Sequence, residues 1–139
     1  MKTKITAFFI VFILIFGFIF YYFVEIKKET IPPKIPNPNW ELLKQNPMLI
    51  KSGQSHFMIR CAKCHGYNAK GSLMAPNLTD NIWIYSNSYD GILSIISYGA
   101  PSKKMLGWGK KLKPEDLYAL TLYVHSLSDK KSLSSYKDH

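Results

Sequence analysis

The chain has 139 residues and a formal charge of +9, from Lys+Arg 18 against Asp+Glu 9. That length leaves room in this chain for one domain plus accessory segments, not for several domains. The basic balance suits an anionic membrane surface, nucleic acid or an acidic protein partner, and does not choose among them.

Residues 5–24 are an uncharged run of about 20, dominated by Phe and Ile, which is the length that spans a bilayer core. Tyr21 and Tyr22 sit near its end, where interfacial aromatics belong. Lys2 and Lys4 precede it, and the charges of Glu25, Lys27, Lys28 and Glu29 behind it cancel, a slight bias toward an inside N-terminus. A cleaved signal peptide would have a shorter apolar region ending in a small-x-small site. This run ends instead in Tyr21-Tyr22-Phe23-Val24-Glu25, with no cysteine nearby to carry a lipid. Residues 1–24 are therefore expected to form an uncleaved transmembrane anchor. Residues 25–46 read as a linker, in which 31–39 hold four of the chain's eight prolines. Such a stretch is extended and stiff, reaching about 28 Å if wholly polyproline II. A stiff spacer suits a domain docked in a complex better than a free shuttle.

Residues 47–60 read as the first helix of the folded domain, with Pro47 at its start and Ile50, Gly53 and Phe57 on one face. Gly53 inside a helix is unfavourable by about 1 kcal/mol relative to Ala, so it predicts a close helix crossing. His56 in the same helix reads as a surface or satisfied histidine rather than a ligand. Next comes Cys61-Ala62-Lys63-Cys64-His65, which holds both cysteines of the chain. C-x-x-C-H is the attachment signature of c-type haem. On one helical turn both thiols can form thioethers with haem vinyl groups, and the next imidazole can reach the iron. A thioredoxin-like pair would want a βαβ context, and the surroundings look helical. A zinc site would need more Cys/His ligands nearby. With both cysteines committed to haem, no disulfide framework is left to read.

Gly53, Phe57 and Cys61 keep the Gly-x-x-x-aromatic spacing that precedes C-x-x-C-H in class I cytochromes c, and the chain resembles that family. The resemblance implies an all-α, class I cytochrome c fold around one covalent haem, and the apolar run at 5–24 places a single transmembrane helix before it. It also implies that the Pro76 carbonyl accepts the Nδ1–H of His65, a bond that fixes the ring tautomer. From the sequence alone Pro76 is only a turn residue. Trp83 and Tyr85 resemble residues that hold haem propionates, and otherwise read as ordinary core aromatics.

Ser88 can cap a helix carrying Ile92, Ile95 and Ile96, with Gly99 at its end. A glycine-punctuated, flexible loop then carries Met105, about 40 residues beyond His65. Thioether sulfur is a soft donor that raises the haem potential and closes the distal side. Met1 lies in the leader, Met48 and Met58 share the first helix, and Met74 follows His65 too closely to cross the haem easily. Loop position and family match together select Met105. A last helix starts at Pro114-Glu115-Asp116, with Leu117, Leu120, Tyr123, Val124 and Leu127 on one face. Leu120 and Tyr123 are expected against the Gly53/Phe57 face, and His125 off that stripe is expected to be exposed. Residues 47–128 thus make a monohaem domain, and 129–139 a polar tail.

Between them, Ala75-Pro76-Asn77-Leu78-Thr79, Trp83, Tyr85 and Met105 narrow the resemblance to a haem domain of the cytochrome c subunit (subunit III) of cbb-type haem–copper oxidases. Those subunits usually carry two C-x-x-C-H motifs and often Pro after the Met ligand, where this chain has one motif and Leu106. The expected role is an electron carrier, not an enzyme, with a haem–copper oxidase, a quinol-oxidising complex or another cytochrome as redox partner. Membrane lipid would be met through the anchor, and neither nucleic acid nor a small-molecule substrate is expected. The location implied is a bacterial inner membrane, with the haem domain on the outer face. A free-standing anchored shuttle is the alternative, and a five-coordinate haem enzyme or gas sensor the rival of another class. Lys103, Lys104, Lys110, Lys111 and Lys113 flank Met105 and are expected to steer acidic partners.

Overall fold

The computed structural model describes residues 2–30, 34–102 and 104–128, with side chains from 10 to 25 only within the first stretch. The expected polar tail at 129–139 and Lys103 lie outside the described residues. The chain divides into two compact units, Met1–Pro32 and Pro33–His139.

The first unit is one helix, α1 (Lys2–Thr30). Its large apolar side chains from Ile10 to Phe23 are each more than half exposed. Phe12 stacks on Phe16 and Phe18 on Tyr22, as residues one turn apart do. Among the described residues no helix is long and apolar enough to cross a membrane.

The second unit is helical: α2 (Trp40–Leu43), α3 (Pro47–Arg60), α4 (Ala62–His65), α5 (Tyr89–Tyr98) and α6 (Pro114–Ser128). Among the described residues there is no strand, only an isolated bridge between Gly99 and Leu106. Local chemistry sets the helix ends. Asn46 accepts from the Met48 N–H before Pro47, and Ser88 accepts from the Gly91 N–H to start α5. Gly99, at φ +91°, ends α5.

Helices α3 and α6 cross at Gly53. A Cβ there would overlap the Ala119 carbonyl oxygen and lie 2.8 Å from Tyr123 Cβ. Hydrogen alone fits, which is why a poor helix former sits mid-helix. The contact falls on Ala119 and Tyr123, while Leu120 turns toward the core beside Phe57, Leu117 and Val124. Helix α6 is buried well beyond one stripe, with Ala119, Thr121, Leu122 and Ser126 inside as well.

Two expectations change. His125 is half-buried, its ring stacked on Tyr89 at 4.2 Å, because α5 crosses over that face of α6. And the segment from Lys34 onward, expected as a stiff spacer, lies against the domain. Ile35 and Trp40 pack against the core. The Ile35 N–H donates to the Tyr98 hydroxyl at 3.3 Å, and the Tyr118 hydroxyl donates to the Pro36 carbonyl at 2.8 Å. Trp40 stacks on Tyr89 at 5.1 Å, meets Tyr118 edge-on at 5.9 Å, and donates from Nε1 to Asp90 at 2.7 Å. Proline's missing N–H groups leave the carbonyls to be satisfied from the domain. Trp40→Ala is expected to destabilise the unit by about 2–3 kcal/mol, read as a lower urea midpoint.

Candidate functional site

Helix α4 is a single turn, and its shortness serves the motif. Cys61 ends α3 and opens α4, with its N–H donating to the Phe57 carbonyl at 2.8 Å. The chain turns there, and Cys61, Cys64 and His65 end up on one cavity of about 800 Å³. That volume falls in the ~300–1,000 Å³ range of cofactor sites. Phe57, Ile92, Ile96, Leu120 and Val124 supply apolar wall from three helices. Pro76, Trp83, Tyr85 and Met105 line the same cavity, so all the site residues read from the sequence meet in one place.

His65 is 8% exposed, and its Nδ1 lies 3.1 Å from the Pro76 carbonyl oxygen. A carbonyl can only accept, so Nδ1 carries the proton and Nε2 keeps its lone pair. Burial pushes the ring below the usual imidazole range, and the Pro76 bond works weakly the other way. The result is a neutral imidazole, the form that ligates metal. Burial likewise pushes the Cys61 thiol up to about 11, against the Arg60 cation and with Cys64 adding to the rise.

The loop from Gly66 to Leu78 holds Pro76 in place. Gly71 N–H donates to the His65 carbonyl at 2.8 Å, Leu78 N–H to Ala69 at 2.8 Å, and Ser72 Oγ to the Cys64 carbonyl at 2.6 Å. Backbone hydrogen bonds tie the residues around Met105 to one another and to the end of α5. Ala100 N–H donates to the Met105 carbonyl at 3.0 Å, while Trp108 and Gly109 N–H groups donate to the Ile96 and Ser97 carbonyls at the end of α5. A Cβ at Gly99 would lie 2.6 Å from the Met105 oxygen, so glycine permits that closure.

Met74 lines the cavity too, at 66% exposure, on the segment that also carries Pro76. Met105 is partly buried and packs against the core. Trp83 is partly buried and Tyr85 is 45% exposed. Among the described lining residues only Arg60, Asp80 and Lys104 are charged. Sequence reading missed Arg60 and Ser72, since neither belongs to a motif.

Comparison with known proteins fits this geometry. Residues 49–124, more than half of the chain, match the family model described as cytochrome c oxidase, cbb3-type, subunit III. The chain belongs to that family. It is 43% identical over 79 residues to the cbb3-type cytochrome c oxidase subunit FixP of Azorhizobium caulinodans, covering 55% of this chain and 27% of that protein. It is 42% identical over 84 residues to the cbb3-type subunit CcoP of Rhodobacter capsulatus, covering 55% and 28%. The chain thus spans just over a quarter of the length of these relatives. The crystal structure of cytochrome cL from the marine methylotroph Methylophaga aminisulfidivorans is similar, with TM-score 0.55, 26% identity and 70% of each chain covered. The subunit III match and this neighbour make the second unit a c-type cytochrome domain.

Proposed function

We propose that the chain is a membrane-anchored, monohaem c-type cytochrome that passes single electrons to or within a cbb3-type cytochrome c oxidase. The observation that carries this is one cavity lined by two thiols, a buried imidazole bonded through Nδ1 to Pro76, and the Met105 thioether. That donor set fits haem c. When bound, haem supplies one-electron chemistry between ferric and ferrous iron. Cys61 and Cys64 would hold it through thioethers. His65 would present Nε2 to the iron while Nδ1–H stays on Pro76, and Met105 would supply a thioether sulfur. Trp83 Nε1–H and the Tyr85 hydroxyl would serve the propionates. Phe57, Ile92, Ile96, Leu120 and Val124 would give the group an apolar wall.

Helix α1 supports the anchor reading, since its exposed Ile and Phe side chains want an apolar solvent. The location that follows is a bacterial inner membrane, single-pass, with the haem unit on the outer face. Membrane lipid is then a partner through α1, while a haem–copper oxidase, a quinol-oxidising complex or another cytochrome is the redox partner. A single C-x-x-C-H motif keeps the anchored shuttle as the second reading. Gentle detergent purification through this chain separates them: a haem–copper oxidase co-purifies with a subunit and not with a shuttle. Intact mass one haem above the polypeptide checks the cofactor, and a mass without haem overturns the reading.

Lys104, Lys110, Lys111 and Lys113 are exposed, Lys104 on the cavity rim and Lys111 over the Trp108 ring at 5.3 Å. Electron-transfer rates with an acidic partner are expected to fall severalfold between about 10 and 200 mM salt, measured by stopped flow. A flat profile would reject steering.

A further inference from the structure

Helix α3 reaches the cavity with a cation. Arg60 lines it, directly before Cys61. One turn back, His56 Nδ1 lies 3.1 Å from Arg60 Nη1, and His56 Nε2 lies 3.1 Å from Asp116 Oδ1 in the first turn of α6. A guanidinium only donates, so His56 Nδ1 must accept. The ring proton then sits on Nε2 and is donated to the Asp116 carboxylate. This is a directed chain, from carboxylate through neutral imidazole to guanidinium, with His56 and Asp116 side chains 21% and 32% exposed. Partial burial weakens solvent screening. The other charges on the described wall are held differently. Asp80 accepts from the Ile82 N–H at 3.0 Å, and Lys104 is exposed.

We propose that Arg60 sets the cofactor's potential, as a fixed cation on the cavity wall held in place by His56 and Asp116. The inference rests on the haem reading above. Ferric haem carries one more positive charge than ferrous haem, so a fixed cation favours the reduced state. His56 and Asp116 are positioning residues: they never meet the cofactor and act only by keeping the guanidinium there.

The test is equilibrium redox titration of the haem-loaded, full-length chain in its wild-type, Arg60→Gln, Arg60→Lys and His56→Leu forms. At the poise where wild type is half reduced, Arg60→Gln is expected to be at least about threefold more oxidised, or about 28 mV lower at 59 mV per tenfold for one electron. Arg60→Lys should restore most of the shift, and His56→Leu should fall between. An unchanged ratio in Arg60→Gln, or Lys behaving as Gln, overturns the role of the charge. His56→Leu titrating as wild type overturns the positioning. Nitrogen NMR of the reduced protein reads the same chain without any transfer assay: His56 should be the Nε2–H tautomer, and a Nδ1–H ring contradicts it. If Arg60→Gln does not fold, Arg60→Lys, His56→Leu and the tautomer still decide. Failure of the haem reading looks different, because wild type itself would then carry no covalent haem.

Discussion

Met105→Ala is expected to abolish the sulfur-to-iron(III) charge-transfer band of the oxidised protein and leave a high-spin spectrum, while Met74→Ala keeps both band and spin state. The two methionines line one cavity, so the pair isolates position from chemistry. Met74 is on the segment that also presents Pro76 to His65, and is 66% exposed. Met105 is partly buried and its loop is bonded to the end of α5. Loss of a soft axial sulfur also lowers the potential, on the order of 0.1 V or more within the ~0.8 V range that axial ligands command. Absorbance and a redox titration of both variants check this. A band that survives in Met105→Ala and disappears in Met74→Ala would reverse the assignment. A high-spin wild type would instead point to an open iron and a haem enzyme or sensor.

Short-range features of this chain could be read from the sequence because the physics behind them is short-range. Pro47 and Ser88 mark helix starts through groups within a few residues, and C-x-x-C-H places its ligands on one turn. Gly53 could be read for the opposite reason, since a glycine mid-helix makes sense only if something distant approaches closely. The docking of residues 34–43 escaped because proline richness specifies an extended chain but not its resting place. What holds residues 34–43 down is Tyr98, Tyr118, Tyr89 and Asp90, up to 82 positions away. His125 misled because a helical stripe marks one buried face, and α6 is covered on more than one. Ala69 is the hardest case. It takes φ +57° while Asn68, a better left-handed residue, stands beside it. Its methyl is 1% exposed inside the core cluster, and burial there outweighs backbone preference. The Arg60–His56–Asp116 chain was equally hidden, since its i, i+4 half looks like any surface pair until α6 supplies the carboxylate.

Gly53→Ala is expected to destabilise the haem unit by about 3 kcal/mol or more, a large share of the ~5–15 kcal/mol that holds a domain together. The added methyl meets backbone, not a side-chain tip: the Ala119 carbonyl oxygen overlaps it, and its carbon lies at 2.6 Å. Neither can rotate away without moving α6. That helix carries Leu120 and Val124 on the cavity wall and Asp116 beneath His56, so a shift there also disturbs the cofactor site and the cation on its rim. Helix propensity alone predicts the reverse, about 1 kcal/mol of stabilisation for alanine. The sign of the effect therefore decides between propensity and packing. Urea unfolding of the haem-loaded protein measures it, with Gly17→Ala as the control, because a Cβ at Gly17 meets nothing within 4 Å. A Gly53→Ala protein as stable as wild type would mean that α3 and α6 do not cross this closely.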